Sequence, residues 1–322
     1  MARFLLRRIA QGIVVMILVT ILVFLIFFGS GSQIDVARRL AGRNASQQTI
    51  ASITHRLHLN ESLPAQYWHF VVQLVWHHNL GYSYYHTQPV STIIGHAIPI
   101  TLSLAIGAAV IWLVLGVLSG VTAAVRRGSV MDRVFTGLAL FFYSLPTFVL
   151  GLLLLFLVYF QLAKRGIRIF PGQGYTGITS NPLKWLESMI LPWFTLALVS
   201  AATYMRLTRG SLLEVLGEDY IRTARAKGLP ERRVIFRHGL RSSLTPVVSQ
   251  LGIDLGTLVG GAIVTETVFG MPGLGYTAVT SITNQDLPVI IGIVIVASGS
   301  VVVANILVDI FYAVLDPRVR LH

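Results

Sequence analysis

The chain is 322 residues long, of which 54% are hydrophobic and only 12% are charged, and its formal net charge is +12. A soluble domain keeps about a quarter of its residues charged, so this composition predicts a membrane protein and excludes an ordinary water-soluble one. The basic excess fits orientation in the membrane and contact with anionic lipid better than binding to nucleic acid, and the absence of cysteine excludes disulfides, thiolate metal sites and cysteine nucleophiles.

The first predicted element is a membrane-spanning helix within residues 1–28. Three arginines precede an apolar stretch from Ile9 to Phe28. This stretch has the roughly 20 residues that a spanning helix needs, whereas the apolar region of a secretory signal peptide has about 7–15. Because no small-residue cleavage site follows it, we interpret it as a span that stays in the protein.

A large segment, residues 29–97, follows the first span. It is rich in tyrosine and tryptophan, which favour the membrane–water interface. These residues predict a small folded scaffold on the outer surface, and the aromatic content argues against the alternative of a disordered loop.

Seven of the nine histidines fall on this predicted outer side, so a nickel or zinc site is a hypothesis to consider. Their spacing is irregular, and apart from Glu61 no cluster of carboxylates lies beside them in the sequence. This pattern favours ordinary surface histidines, and we predict no metal site. The seven are His55, His58, His69, His77, His78, His86 and His96.

Five further apolar segments predict an all-α membrane protein with six transmembrane helices. Basic residues accumulate on the cytoplasmic side of membrane proteins, and 17 of the 25 lysines and arginines fall on the side that holds both termini. We therefore expect both termini in the cytoplasm, a five-helix core over residues 98–314 and a cytoplasmic tail over residues 315–322. The five later spans are Ile98–Val125, Val134–Phe160, Met189–Met205, Thr245–Val268 and Pro288–Val314.

Residues 206–244, on the predicted cytoplasmic side, form the most informative stretch. Asp219 suits the start of a short helix and Lys227 suits its end. Gly228 then supplies the left-handed backbone conformation that ends many helices, and Pro230 favours the start of the next helix. An ordered, basic pair of helices predicts docking to a partner, while a basic loop held near anionic lipid is the alternative.

This stretch resembles the EAA signature of bacterial ABC-importer permeases. The run from Asp219 to Leu229 reads D-Y-I-R-T-A-R-A-K-G-L. The second alanine of the signature maps to Ala224 and its glycine to Gly228, whereas arginine and threonine replace the first two positions. That departure itself resembles the dipeptide/oligopeptide/nickel branch of the family. The later Leu244–Pro246 resembles the end of the EAA signature. Other stretches that resemble the branch are Arg3-Phe4 with Arg7-Arg8, Glu266–Phe269, Pro272–Gly275, Asp286–Pro288, Asn305–Asp309 and Asp316–Arg318.

The resemblance implies a division of labour between subunits of a bacterial inner-membrane transporter. It implies a second permease subunit, an extracytoplasmic substrate-binding protein and two ATPase subunits, which carry ATP and Mg. The chain has no G-x-x-x-x-G-K-[ST] phosphate loop, so we expect no cofactor and no enzymatic activity in this subunit. Residues 206–244 are called the coupling segment below, because in that family this segment docks on the ATPase. The contact residues implied by the motif are Asp219, Arg222, Ala224, Gly228, Leu229 and Pro230.

Polar and small residues within the predicted spans are candidates for the translocation path. A charged side chain near the middle of a bilayer costs about 2.5–3.5 kcal/mol on insertion scales. Asp254 and Glu266 are therefore path candidates, with a hydrogen bond or ion pair to another helix as the alternative. Gly252, Gly256 and Gly260 lie on one face of the same span, and we favour helix packing over a pore lining for them.

Together with the family resemblance, these patterns imply one permease half of an ATP-driven peptide importer. Nickel is the alternative cargo within the same family. An ion-coupled secondary transporter is a second class, but such folds tend to show inverted repeats and we find none between the two halves. A membrane-anchored receptor is a third class, and it would not need so many spans.

Overall fold

The computed structural model describes residues 2–29, 33–41, 46–56, 58–167 and 170–315. The predicted tail lies outside these ranges apart from Leu315. Within them the chain is mainly α-helical, with one two-stranded antiparallel ladder, β1 Tyr82–Ser83 and β2 Gln88–Pro89. The helices are α1 Ala2–Phe28, α2 Gln33–Ala41, α3 Gln47–Arg56, α4 Leu63–Val75, α5 Val90–Val125, α6 Val130–Ser144, α7 Thr147–Leu154, α8 Gln161–Lys164, α9 Pro182–Leu216, α10 Asp219–Ala226, α11 Glu231–Arg233, α12 Leu240–Ser243, α13 Thr245–Gly261, α14 Ile263–Phe269, α15 Leu274–Thr283 and α16 Leu287–Leu315, with π-helical turns at Leu155–Phe160 and Val234–Gly239.

Five stretches of the described residues are helical, long and apolar enough to cross a membrane. Their outward-facing side chains are large and apolar: on α1, for example, Leu18 is 60% exposed and Leu22 58%. Such exposure is unfavourable in water and favourable against lipid. The predicted class, a helical membrane protein, is confirmed at this level. The five stretches are Leu6–Phe28, Val90–Val125, Thr147–Lys164, Pro182–Leu216 and Leu287–Leu307.

Two of the six predicted spans are interrupted. The third breaks where α6 ends at Ser144 and α7 begins at Thr147, because Pro146 disfavours helical backbone at the preceding Leu145, which is extended (ψ 127°). The fifth is divided at Ala262 into α13, which has 17 residues, and the short α14. The division leaves neither piece long enough to count among the five stretches above.

One compact unit contains the described residues up to Leu102 together with Val259–Ile263 and Pro272–Ile306. Its apolar core joins α1, the helices of the predicted scaffold and α16. Ser83 of β1 donates a buried hydrogen bond to the carboxylate of Asp286, just before α16. The described part of the 29–97 segment is therefore folded. The core residues are Val23, Val36, Ala37, Leu40, Ile50, Ile53, Leu59, Ile291 and Ile295.

The second unit contains Ser103–Leu258, Val264–Met271 and the described residues from Leu307 onward. Its longest helix, α9, packs against α6 and α7 and, at Gly116 and Gly120, against α5, and it continues toward the coupling segment. Trp112 of α5 and Tyr204 of α9 are both fully buried, with ring centroids 5.9 Å apart. This packing fixes α9 and so positions the segment that follows it.

Candidate functional site

The helix at the centre of the coupling segment is α10. Glu218 precedes it with extended backbone (φ −70°, ψ 149°), and Asp219 lies in its first turn, where the helix dipole favours a carboxylate. Ile221 is fully buried, and Ala224, three residues later on the same face, is 8% exposed. An apolar cluster therefore holds α10 to the end of α9 and to the residues that follow it. The other members of the cluster are Val215, Leu216, Leu229 and Val234.

A left-handed turn at Gly228 ends α10. Its φ is +76°, a conformation that glycine adopts without the steric penalty of a Cβ. The Gly228 N–H donates to the carbonyl of Arg225 at 2.9 Å, and the Leu229 N–H donates to the carbonyl of Ala224 at 3.4 Å. Pro230 then precedes α11 as its N-cap residue. The sequence predicts one helix before Gly228 and another after Pro230, and the structure has α10 and the helical stretch that begins with α11 at these places.

An ion pair bridges this turn. The guanidinium of Arg225 donates to both carboxylate oxygens of Glu231, at 3.2 and 2.8 Å. Arg225 lowers the pKa of the Glu231 carboxyl, chiefly through these hydrogen bonds. A second pair, Arg222 with Asp219 at 3.2 Å, is more exposed. The charges of the helix are thus mostly satisfied within the segment.

The six motif residues fall into two groups in the structure. Asp219, Arg222, Gly228 and Pro230 are exposed. Ala224 and Leu229 instead face the apolar cluster inside the chain, so their packing positions α10. Exposed neighbours add to the same surface, most prominently Tyr220, which is 45% exposed. We call this set the α10 surface: Asp219, Tyr220, Arg222, Thr223, Ala226, Gly228 and Pro230.

A buried ion pair between α6 and α9 was missed by the sequence interpretation. Arg209 donates to the two carboxylate oxygens of Asp132 at 2.7 and 2.9 Å, and the Asp132 side chain is 8% exposed. The Gly128 N–H donates to the same carboxylate at 2.9 Å. These contacts, led by Arg209, lower the pKa of Asp132 to about 2. The local signal, Ser129 three residues before Asp132, indicates only the start of α6, and the structure forms this N-cap.

Asp254 lies on α13 and is bonded to α9. Its carboxylate accepts hydrogen bonds from the hydroxyl of Tyr204 at 2.8 Å and from the side-chain amide of Gln250 at 2.9 Å. The residue is partly exposed, whereas Glu266, the other path candidate, is fully buried. The Met271 N–H donates to the backbone carbonyl of Glu266 at 2.8 Å. The two candidates therefore sit in different environments, and only Asp254 has any accessible surface.

Close helix contacts in the described residues involve glycines that the sequence interpretation did not select. A Cβ on Gly116 would lie 2.5 Å from the Cβ of Tyr204, and a Cβ on Gly120 would lie 2.7 Å from the carbonyl oxygen of Met205. These two glycines form a G-x-x-x-G pattern on α5, which was the available signal. Among the glycines that the sequence did select, Gly252 is buried. The surroundings of Gly256 and Gly260 lie outside the described part of the chain.

Comparison with known proteins agrees with the motif in the coupling segment. The family described as binding-protein-dependent transport system inner membrane component matches residues 113–321, and the family described as the N-terminal part of the membrane component of such systems matches residues 1–105. The dipeptide transport system permease protein DppB of Escherichia coli K12 is 37% identical, with 99% of each chain covered. A Sinorhizobium fredii protein described as a probable peptide ABC transporter permease is also 37% identical, over 99% of this chain and 100% of that one.

Solved structures show the same fold. The chain resembles a subunit of the inward-facing MetNI methionine ABC transporter with a TM-score of 0.52 and 20% identity, over 70% of this chain and 96% of that one. The family models and the relatives confirm the family predicted from the sequence. The chain belongs to the family of inner membrane components of binding-protein-dependent transport systems.

Proposed function

We propose that this chain is one permease half of an ATP-binding-cassette importer that moves di- or oligopeptides across the bacterial inner membrane. The choice of cargo is supported by relatives that align with almost the whole chain and whose names specify peptide or dipeptide transport. A second permease subunit completes the pathway, a substrate-binding protein delivers the peptide, and two ATPase subunits bind ATP and Mg.

The α10 surface is the feature that carries this proposal. The inner face of α10 is packed in the apolar cluster through Ile221, and its outer face is exposed. A partner that moves α10 therefore also moves the helices packed against it. The small residues on its outer face allow close approach of that partner. We assign the α10 surface to the contact with an ATPase subunit.

The route from α10 into the spans follows contacts inside one unit. The apolar cluster attaches α10 to the end of α9 and to the helical stretch that leads into α13. Higher up, α9 and α13 are joined again by the hydrogen bond between Tyr204 and Asp254. We assign Asp254 to this connection, where it keeps α9 and α13 moving together, and Glu266 to helix packing, because it has no exposed surface.

We also propose six spans, with α13 and α14 together forming the fifth, both termini in the cytoplasm and the 29–97 segment outside. The natural chain has no cysteine, so single cysteines report their side of the membrane without background. Tyr85→Cys, at a residue 59% exposed in the scaffold, should react with a membrane-impermeant maleimide in intact spheroplasts. Thr223→Cys on α10 should react only after lysis. The opposite pattern would contradict the topology.

The cargo is tested by deleting the gene in its source organism. Uptake of a labelled tripeptide and of labelled nickel is then measured in the same cells, with and without ATP depletion. Loss of ATP-dependent tripeptide uptake alone supports the proposal. Loss of nickel uptake alone would replace peptide by nickel as the cargo, and normal uptake of both would refute the peptide assignment. A plasmid copy of the gene should restore the lost uptake.

A further inference from the structure

Two histidines and a glutamate converge in the scaffold, where the sequence interpretation saw only surface histidines. His58 and Glu61 lie in the turn between α3 and α4, and His69 lies on α4. Nδ1 of His58 is 3.0 Å from one carboxylate oxygen of Glu61, and Nε2 of His69 is 3.2 Å from the other. The two imidazole rings stack with centroids 4.4 Å apart. One atom from each residue can be chosen so that all three lie within 4.8 Å of one another.

The turn that carries the cluster is fixed by the fold. Gln66, which is 6% exposed, donates from its amide to the carbonyls of Leu59 and Glu61 at 3.0 and 2.8 Å. Leu59 is 1% exposed and belongs to the apolar core of the scaffold. Gln66 and His69 are three residues apart, so they lie on one face of α4. The helix therefore supplies both one ring and the residue that holds the turn carrying the other ring.

We propose that His58, Glu61 and His69 form a binding site for a divalent transition-metal ion, with Zn²⁺ the best fit. Imidazole nitrogen and carboxylate oxygen are the ligands that zinc accepts at about 2.0–2.2 Å, which places neighbouring tetrahedral ligands about 3.3 Å apart. Each imidazole already has a nitrogen 3.0 or 3.2 Å from one of the two Glu61 oxygens, and a set with one atom from each residue lies within 4.8 Å. Small movements of side chains complete the set, and the rigid turn limits how far the ligands have to travel.

The site has an open coordination position and access from solvent. Three protein ligands leave one tetrahedral position for water or another small donor. The side chains of His58, Glu61 and His69 are 47%, 39% and 44% exposed, so an ion can enter without unfolding the turn. Both imidazoles also line a cavity of about 390 Å³, with Phe70 among its other walls, which gives such a donor room.

Binding of the ion should stabilise the folded scaffold. The ion links the turn at His58 to α4 and stabilises the folded segment, because a ligand that binds only the folded state raises its stability. Its ligands must be deprotonated, so binding releases protons and weakens in acid. The assignment does not depend on the transport function, since it uses only residues of the scaffold.

The test uses the full-length chain in lipid nanodiscs, purified through a tag without histidine and stripped of metal with a chelator. Zn²⁺ is added, and affinity is measured by calorimetry, stability by thermal unfolding and ligation by X-ray absorption. We expect one equivalent to bind with two imidazole ligands and to raise the unfolding temperature. His69→Ala should weaken binding at least about tenfold, since even residues that only support ligands matter by 10–100-fold. The matched control His77→Ala, at an exposed histidine outside the cluster, should leave binding unchanged.

A second variant protects the test against misfolding. Glu61→Gln keeps the shape of the side chain and removes its charge, and it should also weaken binding at least about tenfold. Wild-type affinity in this variant would overturn the proposal, as would absorption spectra without imidazole ligands or an equal loss of affinity in His77→Ala.

Discussion

Arg225, in the last turn of α10, donates hydrogen bonds to both carboxylate oxygens of Glu231 across the turn at Gly228. The side chains are 42% and 55% exposed, so water screens much of the attraction. Exposed pairs of this kind contribute about 0.2–1 kcal/mol. The pair therefore adds little to the stability of α10, most of which comes from the buried cluster behind it.

Glu231→Gln should loosen α10 slightly. A loss of about 0.2–1 kcal/mol corresponds to a roughly 1.5- to 5-fold faster hydrogen exchange of the α10 amides, measured by mass spectrometry on the purified chain. Because Arg225 lowers the pKa of Glu231, the contribution is present above the ordinary glutamate pKa and is lost as pH falls through the lowered one. The difference between variant and wild type should thus stay constant from pH 6 to 8. A difference that vanished within that window would contradict the assignment.

Ile221→Ala should detach α10 from the rest of the chain much more often than Glu231→Gln does. Truncating a fully buried aliphatic side chain costs about 2–5 kcal/mol, which raises the population of the detached helix roughly 30-fold or more. Limited trypsin digestion of the purified chain measures this release, since α10 itself contains cleavage sites. The matched control is Tyr220→Ala, which removes a larger side chain from the adjacent exposed position. Equal cleavage rates in both variants would show that α10 is not held by its buried face.

Asp132→Asn should destabilise the chain at neutral pH, because Arg209 then keeps a partly buried charge without a counter-charge. Asp219→Asn removes the carboxylate from a pair that is almost fully exposed and should change little. Thermal unfolding in detergent compares the two. The pKa of Asp132 is lowered to about 2, so its stabilising charge is present above the ordinary aspartate pKa and is lost only as pH falls toward 2. The destabilisation should be the same at pH 8 and pH 5, and its disappearance at pH 5 would refute this account of the pair.

Gly116→Ala and Gly120→Ala should each destabilise the packing of α5 on α9. The added Cβ meets backbone atoms of α9, which cannot move aside as a flexible side chain can, and overpacking of this kind costs about 1–3 kcal/mol. Gly210→Ala, on α9, adds a Cβ with no atom within 4 Å and should be neutral or stabilising by up to about 1 kcal/mol. Thermal unfolding measures all three. An equal effect of the three substitutions would contradict the close approach of the helices.

The parts of the fold that follow from local chemistry were accessible from sequence. Apolar runs predict helices such as α1 and α16, and the residues around Gly228 predict both helices of the coupling segment and the turn between them. By contrast, α15, which begins at Leu274, lies in none of the predicted spans. The break at Pro146 carries a local signal that the long apolar run obscured.

The rest depends on contacts between distant positions, which one sequence does not reveal. Arg209 and Asp132 are 77 residues apart in the chain, and Tyr204 and Asp254 are 50 apart. The burial of a side chain also depends on distant contacts. Ala224 belongs to the EAA motif but is buried, because residues of another helix cover it. His58 lies in the turn before α4 and His69 lies on α4 itself, so their spacing in the sequence does not show that both side chains contact Glu61.

The most direct test of the central claim compares two glycine substitutions. Gly228 and Gly166 have nearly the same left-handed backbone (φ +76° and +80°), no atom within 4 Å of an added Cβ, and an N–H that donates to the carbonyl three residues earlier. Gly228→Asp and Gly166→Asp therefore impose the same backbone strain and add the same charge, but only the first alters the α10 surface. ATP-dependent uptake of a labelled tripeptide is measured in cells with equal amounts of each variant in the membrane. We expect uptake to be lost with Gly228→Asp and retained with Gly166→Asp, and equal uptake by the two variants would contradict the coupling of this chain to an ATPase through α10.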